Sequence, residues 1–360
     1  MGWKYYSIST STWGDKVRLF PTQFTGGRAL NTGSSGMATF HGRDVQVAGP
    51  ITIDTIRPLE RVLVAEWDGN AVYAGFIQSI TEDLDAGTIT VNHTDIWWLW
   101  KFRYLLHVHG NGAQTATPVT FSNLTLASIA NRIVAKGLDA EPAARYDLPL
   151  IFTADVAGTD SRSYEGFKFP RVDYTLQEVI DTEGGPDVEF DNRWALGVET
   201  IEWVMRSGDL TSGFWEWDAT APMTDVRRLK LTTDASKVSN KFIGTGEGSG
   251  NKMLVRDASA FTGTAPALER VESFSAIKDG GELQARANAE VNAKNGPTQQ
   301  LSFQIPVTGA VKVGELILGG TARVKSSGLY FLSAGQHDWR LIQFTFDRDW
   351  ITMQFQEIGG

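Results

Sequence analysis

Alternation of apolar and polar residues with a period of two dominates both ends of this chain. The stretch "RVLVAEWDGNAVYAGFIQSI", from Arg61, sets two extended apolar runs on either side of Asp68-Gly69-Asn70. Residues of that type tolerate positive φ, so the spacing predicts a tight hairpin. A second hairpin is expected in "FIQSITEDLDAGTITVNH", turning near Asp85-Ala86-Gly87, with Ile89 and Val91 on one face and Thr88, Thr90 and Asn92 on the other. The same period returns at Ile342, Phe344 and Phe346 and at Ile351, Met353 and Phe355. Each such strand buries one face. Twelve Trp and nineteen Phe residues add to the preference for sheet.

Helical periodicity is confined to three places. In "LTLASIANRIVAKG", Leu126, Ile129, Ala130, Ile133 and Val134 form one face, with Thr125 suited to cap the start and Gly137 the end. "DYTLQEVIDTEGG" predicts a shorter helix, with Thr175 and Glu178 as a capping-box pair and Gly184-Gly185 as the stop. "DGGELQARANAEVNAKNGP" predicts a third, opened by Asp279 and Glu282, with a stripe of Leu283, Ala287 and Val291, and closed by Gly296-Pro297. The polar stretch "NGAQTATP" at 111–118 marks a boundary. The expected architecture is mainly β with an α+β insertion: a β module over 1–110, an α+β domain over 111–224, and a second β module over 225–360 with a helical insert near 250–298. One internal echo links the ends: Ile77-Gln78 before Ile89-Thr90-Val91, and Ile342-Gln343 before Ile351-Thr352-Met353. It implies two related β modules.

The chemistry-bearing residues form no recognisable catalytic frame. The net charge of −9 argues against a protein that grips nucleic acid through phosphates. The chain has no cysteine, so disulfides and thiolate sites are excluded. No apolar run reaches the ~18 residues of a membrane span. In "GTGEGSGNK", Ser249 stands where a dinucleotide fingerprint needs its third glycine, and Asn251 precedes Lys252 where a phosphate loop needs glycine. The run is read as a corner between the second β module and its helical insert. His107 and His109 share a strand face and would need His93 or Asp95 to complete a metal site; exposed strand histidines are the commoner reading. The paired carboxylates Glu66/Asp68, Asp83/Asp85, Glu189/Asp191 and Glu216/Asp218 read as hairpin corners and solvated sheet faces rather than as a glycosidase pair.

The aromatic clusters are harder to dismiss. "DIWWLWKFRYLL" packs Trp97, Trp98, Trp100, Phe102 and Tyr104 into eight positions, and "FWEWD" adds Phe214, Trp215 and Trp217. Read as a strand, the first cluster is apolar on both faces, so something must cover each side. The five residues Trp97, Trp98, Trp100, Phe102 and Tyr104 are therefore the candidate subunit interface. The rival reading is a carbohydrate-binding or glycoside-cleaving β protein that stacks sugars on these rings.

Three segments resemble minor tail proteins of long-tailed bacteriophages, the baseplate or tail-tip hub family. They are "FTGGRALNTGSSGMATFHGRD", where a strand and a Gly-rich turn lead to "ATFH"; the hairpin "DGNAVYAGFI", Asp68 to Ile77, whose motif strand runs from Gly69 to Ile77; and "VSNKFIGTGEGSGN", Val238 to Asn251, an entry of the form N-x-x-x-G-x-G-x-G. The resemblance implies a homotrimer in which two similar β-barrel-like modules per copy give a pseudo-sixfold ring. It implies a virion component at the tail tip that joins the tube and distal tail protein to the tape measure and receptor-binding parts, with DNA only in transit. No catalytic residue, cofactor, metal or stable membrane insertion is expected, and the enzymatic extension of some relatives is expected to be absent after Gly360.

Overall fold

The computed structural model describes residues 2–41, 51–106, 117–139, 146–197, 199–274 and 277–358. The first β region comprises β1 (Trp3–Ser9), β2 (Val17–Leu19), β3 (Gln23–Ala29), β4 (Ser35–His41), the one-turn helix α1 (Ile53–Ile56), β5 (Arg61–Trp67), β6 (Asn70–Asp83) and β7 (Thr88–Thr94). The β5–β6 hairpin turns through Asp68 and Gly69, both at positive φ (50° and 92°), which matches the right-handed strand twist. The β6–β7 turn is held by Asp83 Oδ1, which accepts from the Ala86 N–H at 2.8 Å.

The α+β region contains β8 (Val119–Leu124), α2 (Leu126–Gly137), β9 (Leu150–Phe152), β10 (Ala157–Tyr164), α3 (Val172–Ile180), β11 (Asp187–Trp194) and β12 (Ile201–Gly208). Thr125 caps α2 by accepting from the Ser128 N–H. The reading of Gly137 as the end cap is corrected: it is the last helical residue and Leu138 is the C-cap, and glycine stands at 137 because α3 packs close, a Cβ there lying 2.6 Å from Val172 Cγ2. The capping-box reading of Thr175 and Glu178 is corrected. α3 begins four residues earlier, with Arg171 as N-cap, and the Thr175 hydroxyl bonds back to the Arg171 and Val172 carbonyls inside the helix. In β12, Ile201, Trp203 and Met205 are fully buried, as their alternation requires. This region packs on the outer side of β1, β5 and the first half of β6, where Ile8, Val62, Val64 and Phe76 share its core. β5 is consequently buried on both faces.

The last region comprises β13 (Phe214–Asp218), β14 (Arg227–Asp234), β15 (Lys241–Thr245), β16 (Val255–Ser259), β17 (Glu269–Ser273), α4 (Gly280–Lys294), β18 (Thr298–Pro306), β19 (Thr321–Ser326), β20 (Gly335–Phe346) and β21 (Trp350–Glu357). Asp279 caps α4 by accepting from the Glu282 N–H, and Leu283, Ala287 and Val291 form its buried stripe. That stripe covers a small sheet of order β16-β15-β17. The glycine run joins β15 to β16. It turns a corner inside the small α/β insert rather than at the insert's entrance, because β15 already belongs to the small sheet.

Strands of both β regions belong to one 13-stranded sheet, and its two parts have the same plan. In pairing order the first part reads β3-β4-β7-β6-β5-β1 and the second β14-β18-β21-β20-β19-β13. The connections match strand for strand, with the α/β insert lodged where β3 turns directly into β4. One detail differs: β1 runs antiparallel to β5, whereas β13 runs parallel to β19. The central strands β6 and β20 each carry a β-bulge opposite their hairpin partner, between Ile77 and Ser79 and between Leu341 and Gln343. Counted from these bulges, Ile89-Thr90-Val91 aligns with Ile351-Thr352-Met353, while Ile77 aligns with Leu341, one residue from the match expected in the sequence. A single apolar core, including Phe24, Phe40, Val91, Phe303, Phe344 and Met353, lies against one face of this sheet.

Candidate assembly surface

The two halves meet where β3 changes partner. Gln23–Thr25 pair with β4, and then Gly26–Ala29 pair with Gln343–Phe346 of β20. The approach is close enough that a Cβ on Gly27 would lie 2.3 Å from the Phe344 carbonyl oxygen, so glycine is required there. β11 straps this seam from outside. Arg28 donates to Glu189 and Asp191, Arg206 donates to the other oxygen of Glu189, and Arg340 donates to Asp187. Asn31 exchanges hydrogen bonds with the Val188 backbone at 2.7 and 3.0 Å and donates to Asp187 at 3.1 Å. Burial would lower the Arg28 pKa, but the Glu189 and Asp191 carboxylates raise it overall. The cost of desolvating Glu189, which is 1% exposed, is offset only because both of its oxygens are bound by guanidinium groups.

The opposite face of the sheet is polar and, along its middle rows, uncharged. One row runs Thr81, Thr90 and Thr39; another runs Thr345, Thr352 and Gln304. Cross-strand hydrogen bonds tie these side chains together, from Gln304 to Thr352 and from Asn92 to Ser79, both at 3.0 Å. Charged residues stand at the margins, Asp83 on β6 and Lys230 on β14 among them. The sequence pattern marks these positions only as the polar half of each strand; that they line up into one surface follows from the pairing register.

The candidate interface residues divide into two sets. Ile96–Phe102 is a 3₁₀ helix, which corrects the reading of this segment as a strand. Asp95 opens it, accepting from the Trp97 N–H at 3.0 Å and the Ser34 hydroxyl at 2.8 Å. Three residues per turn place Trp97 and Trp100 on one side. Both are buried against Phe190, with ring centroids 5.4 and 5.6 Å away. Trp98 and Phe102 lie on the other side, 4.8 Å apart, and Phe102 and Tyr104 are exposed. Tyr104 forms an isolated backbone bridge to Arg171. An open groove of about 520 Å³ beside them is bordered by Trp98, Lys101, Arg171 and Tyr174.

The residues of the sugar-cleaving alternative are engaged in structural contacts. Trp217 is buried against Phe303 and Phe355. Glu66 is bound by Lys4 and by the Trp194 indole N–H, both at 3.1 Å. Hydrogen bonds from Thr220 and then Lys325 pull Asp218 down to about 2, the opposite of what a proton donor needs. His93 is buried, hydrogen-bonded through Nδ1 to the Tyr73 hydroxyl at 2.8 Å and stacked on Phe24. His107, His109 and most of the 111–118 boundary lie outside the described residues. Among the described residues no group of three or more His, Cys, Asp or Glu side chains gathers as a metal site, and no helix is long and apolar enough to cross a membrane.

No family model and no curated protein matches this chain. Solved structures do. A tail protein from Neisseria meningitidis is similar over 100% of this chain and 98% of its own, with a TM-score of 0.59 at 13% identity. A prophage tail protein from Shewanella oneidensis is similar over 98% of each chain, with a TM-score of 0.59 at 11% identity. A prophage tail protein from Listeria monocytogenes is similar over 98% of this chain and 94% of its own, with a TM-score of 0.53 at 10% identity. From end to end, the fold of this chain is the fold of phage tail proteins.

Proposed function

We propose that this chain is a structural, non-enzymatic hub of a phage tail tip. It works as a homotrimeric ring that joins the tail tube and distal tail protein to the tape measure and receptor-binding parts. The ring forms the end of the DNA channel in the virion. The observation that carries this reading is the repeated strand plan within one continuous sheet. Two equivalent modules per copy give six equivalent units in a threefold ring, which suits a part placed between sixfold and threefold neighbours.

The polar sheet face is the lining in this reading. Eight strands lie along the path from β14 to β6. At about 4.8 Å per strand, three copies give a circumference of roughly 115 Å and a width of roughly 37 Å between backbones, before strand tilt widens it. Affinity for DNA comes chiefly from Lys and Arg on phosphates. Rows of Thr, Gln, Asn and Ser offer no such contacts, so a duplex would pass without sticking. The net charge of −9 adds repulsion at longer range.

Light scattering across a concentration series, followed by negative-stain imaging, tests the proposal. A threefold ring with an open centre is expected. A chain that stays monomeric at the highest concentration, alone and with tail-tube protein added, refutes it.

A further inference from the structure

The repeated plan leaves one strand edge open at each end of the sheet. The first half of β20 pairs with β19 as far as Arg340, and on the same flank its second half pairs with β3. The first half of β6 pairs with β5 as far as Phe76, but on that flank Ser79–Asp83 have no strand partner among the described residues. At the other end, β14 pairs with β18 alone. β14 holds the place in its module that β3 holds in the first. Both edges are solvent-exposed apart from Ile80, Leu229 and Leu231. Open edges of this kind are templates for pairing with another chain.

Resting on the ring reading, we propose that β14 of one copy adds antiparallel to the free half of β6 in the next copy, repeating between subunits the β3–β20 seam found within each. The register follows from the repeat. Lys230 pairs with Ser302 as Thr25 pairs with Met37, and Thr232 stands two residues on, where Gly27 stands in β3. Gly27 faces Thr345, and Thr345 corresponds to Thr81, since they sit opposite Thr352 and Thr90. Thr232 therefore faces Thr81 of the next copy, and Lys230 faces Asp83. Charge supports the match independently. The β14 edge carries Arg227, Arg228 and Lys230, and the β6 edge and its turn carry Glu82, Asp83 and Asp85. Opposite charges directly across a ladder stabilise the pair, and two copies of the same edge would repel. The junction also continues the uncharged Thr row from one copy into the next.

Within one copy the two edges are seven strand spacings apart, roughly 34 Å along the sheet at about 4.8 Å per strand. A disulfide between them can therefore form only between copies, and the chain has no cysteine to confuse the result. The variant Thr81→Cys/Thr232→Cys, oxidised mildly, is expected to give covalent dimers and trimers on a non-reducing gel and nothing larger. The register control Thr81→Cys/Thr233→Cys is expected to give none, because Thr233 points to the other face. Asp83→Lys is expected to weaken assembly roughly 2- to 30-fold in concentration, and adding Lys230→Asp to restore it. Trimers that form in solution but do not cross-link, or that cross-link equally through residue 233, overturn this junction and leave the ring standing. Absence of trimers from the unmodified chain overturns both.

Discussion

Replacing Glu189 by alanine would leave the Arg28 and Arg206 guanidinium groups facing a void beneath β11. Glu189 is 1% exposed and both of its oxygens are bound, so solvent cannot substitute. Removing one partner of a buried ion pair costs about 3–5 kcal/mol. Asp191 still binds Arg28 and Ser212 still accepts from Arg206, which favours the lower end of that range. With an unfolding entropy of about 2.1 cal/mol/K per residue, unfolding of the whole chain as one unit converts this to a fall in Tm of roughly 4–7 °C. Differential scanning calorimetry measures it directly. The combined change Glu189→Leu, Arg28→Met and Arg206→Met should recover most of the loss, because the burial cost then disappears along with the attraction. A single variant melting within about 1 °C of the parent, or a triple variant weaker than the single one, would refute the view that this triad clamps the seam.

Two other perturbations separate roles that the sequence blurs. Trp100→Ala should cost about 3–5 kcal/mol by chemical denaturation, whereas Phe102→Ser should stay within about 0.5 kcal/mol, because one ring is core and the other is surface. Burial pushes the His93 imidazole down to about 3 and the Asp95 carboxyl up to about 7. Below about pH 6.5 the unfolded chain takes up the histidine proton first, so that contribution is complete above 6.5 and falls by about 1.4 kcal/mol per unit towards pH 3. Asp95 acts in the opposite sense: the unfolded chain loses its proton first, so stability declines as pH rises from about 4 to 7. His93→Gln removes only the first effect. Between about pH 7 and pH 5 the two effects oppose each other in the parent, so lowering the pH should raise the variant's Tm relative to the parent's, and identical pH profiles would contradict the assignment.

Local chemistry was readable where one rule acted alone. Asp68-Gly69 fixes its turn through positive φ, and Thr125 and Asp279 cap their helices as their positions suggest. The Trp-rich segment misled because apolar residues at nearly every position satisfy strand and 3₁₀ periods alike; Asp95 before Trp97 was the available sign of a helical start. Thr175 misled because its hydroxyl can close on the backbone inside a helix as readily as at its end. The glycine run was recognised as a turn, but its place inside the insert depends on β15 leaving the large sheet, which no local pattern encodes. The repeat was faintly legible in Ile89-Thr90-Val91 and Ile351-Thr352-Met353. The rest of it lives in which strands pair, and partners such as Ala38 and Phe303 share position without sharing size. The Glu189/Asp191 pair, read in the sequence as a solvated sheet face, is corrected: Glu189 is buried and clamped by Arg28, more than 150 positions away, a partner that no local pattern reveals.

The paired bulges in β6 and β20 have a mechanical meaning. Each lets a long strand bend without ending, in β20 where its flank passes from β19 to β3, and each holds an extra residue that only one alignment can accommodate. Sliding the strand by a single step would push that residue into the ladder and turn the apolar side outward. The angle at which successive modules meet is thus written into backbone geometry. Side chains on the wall of such an assembly could drift widely in identity while its curvature stayed the same.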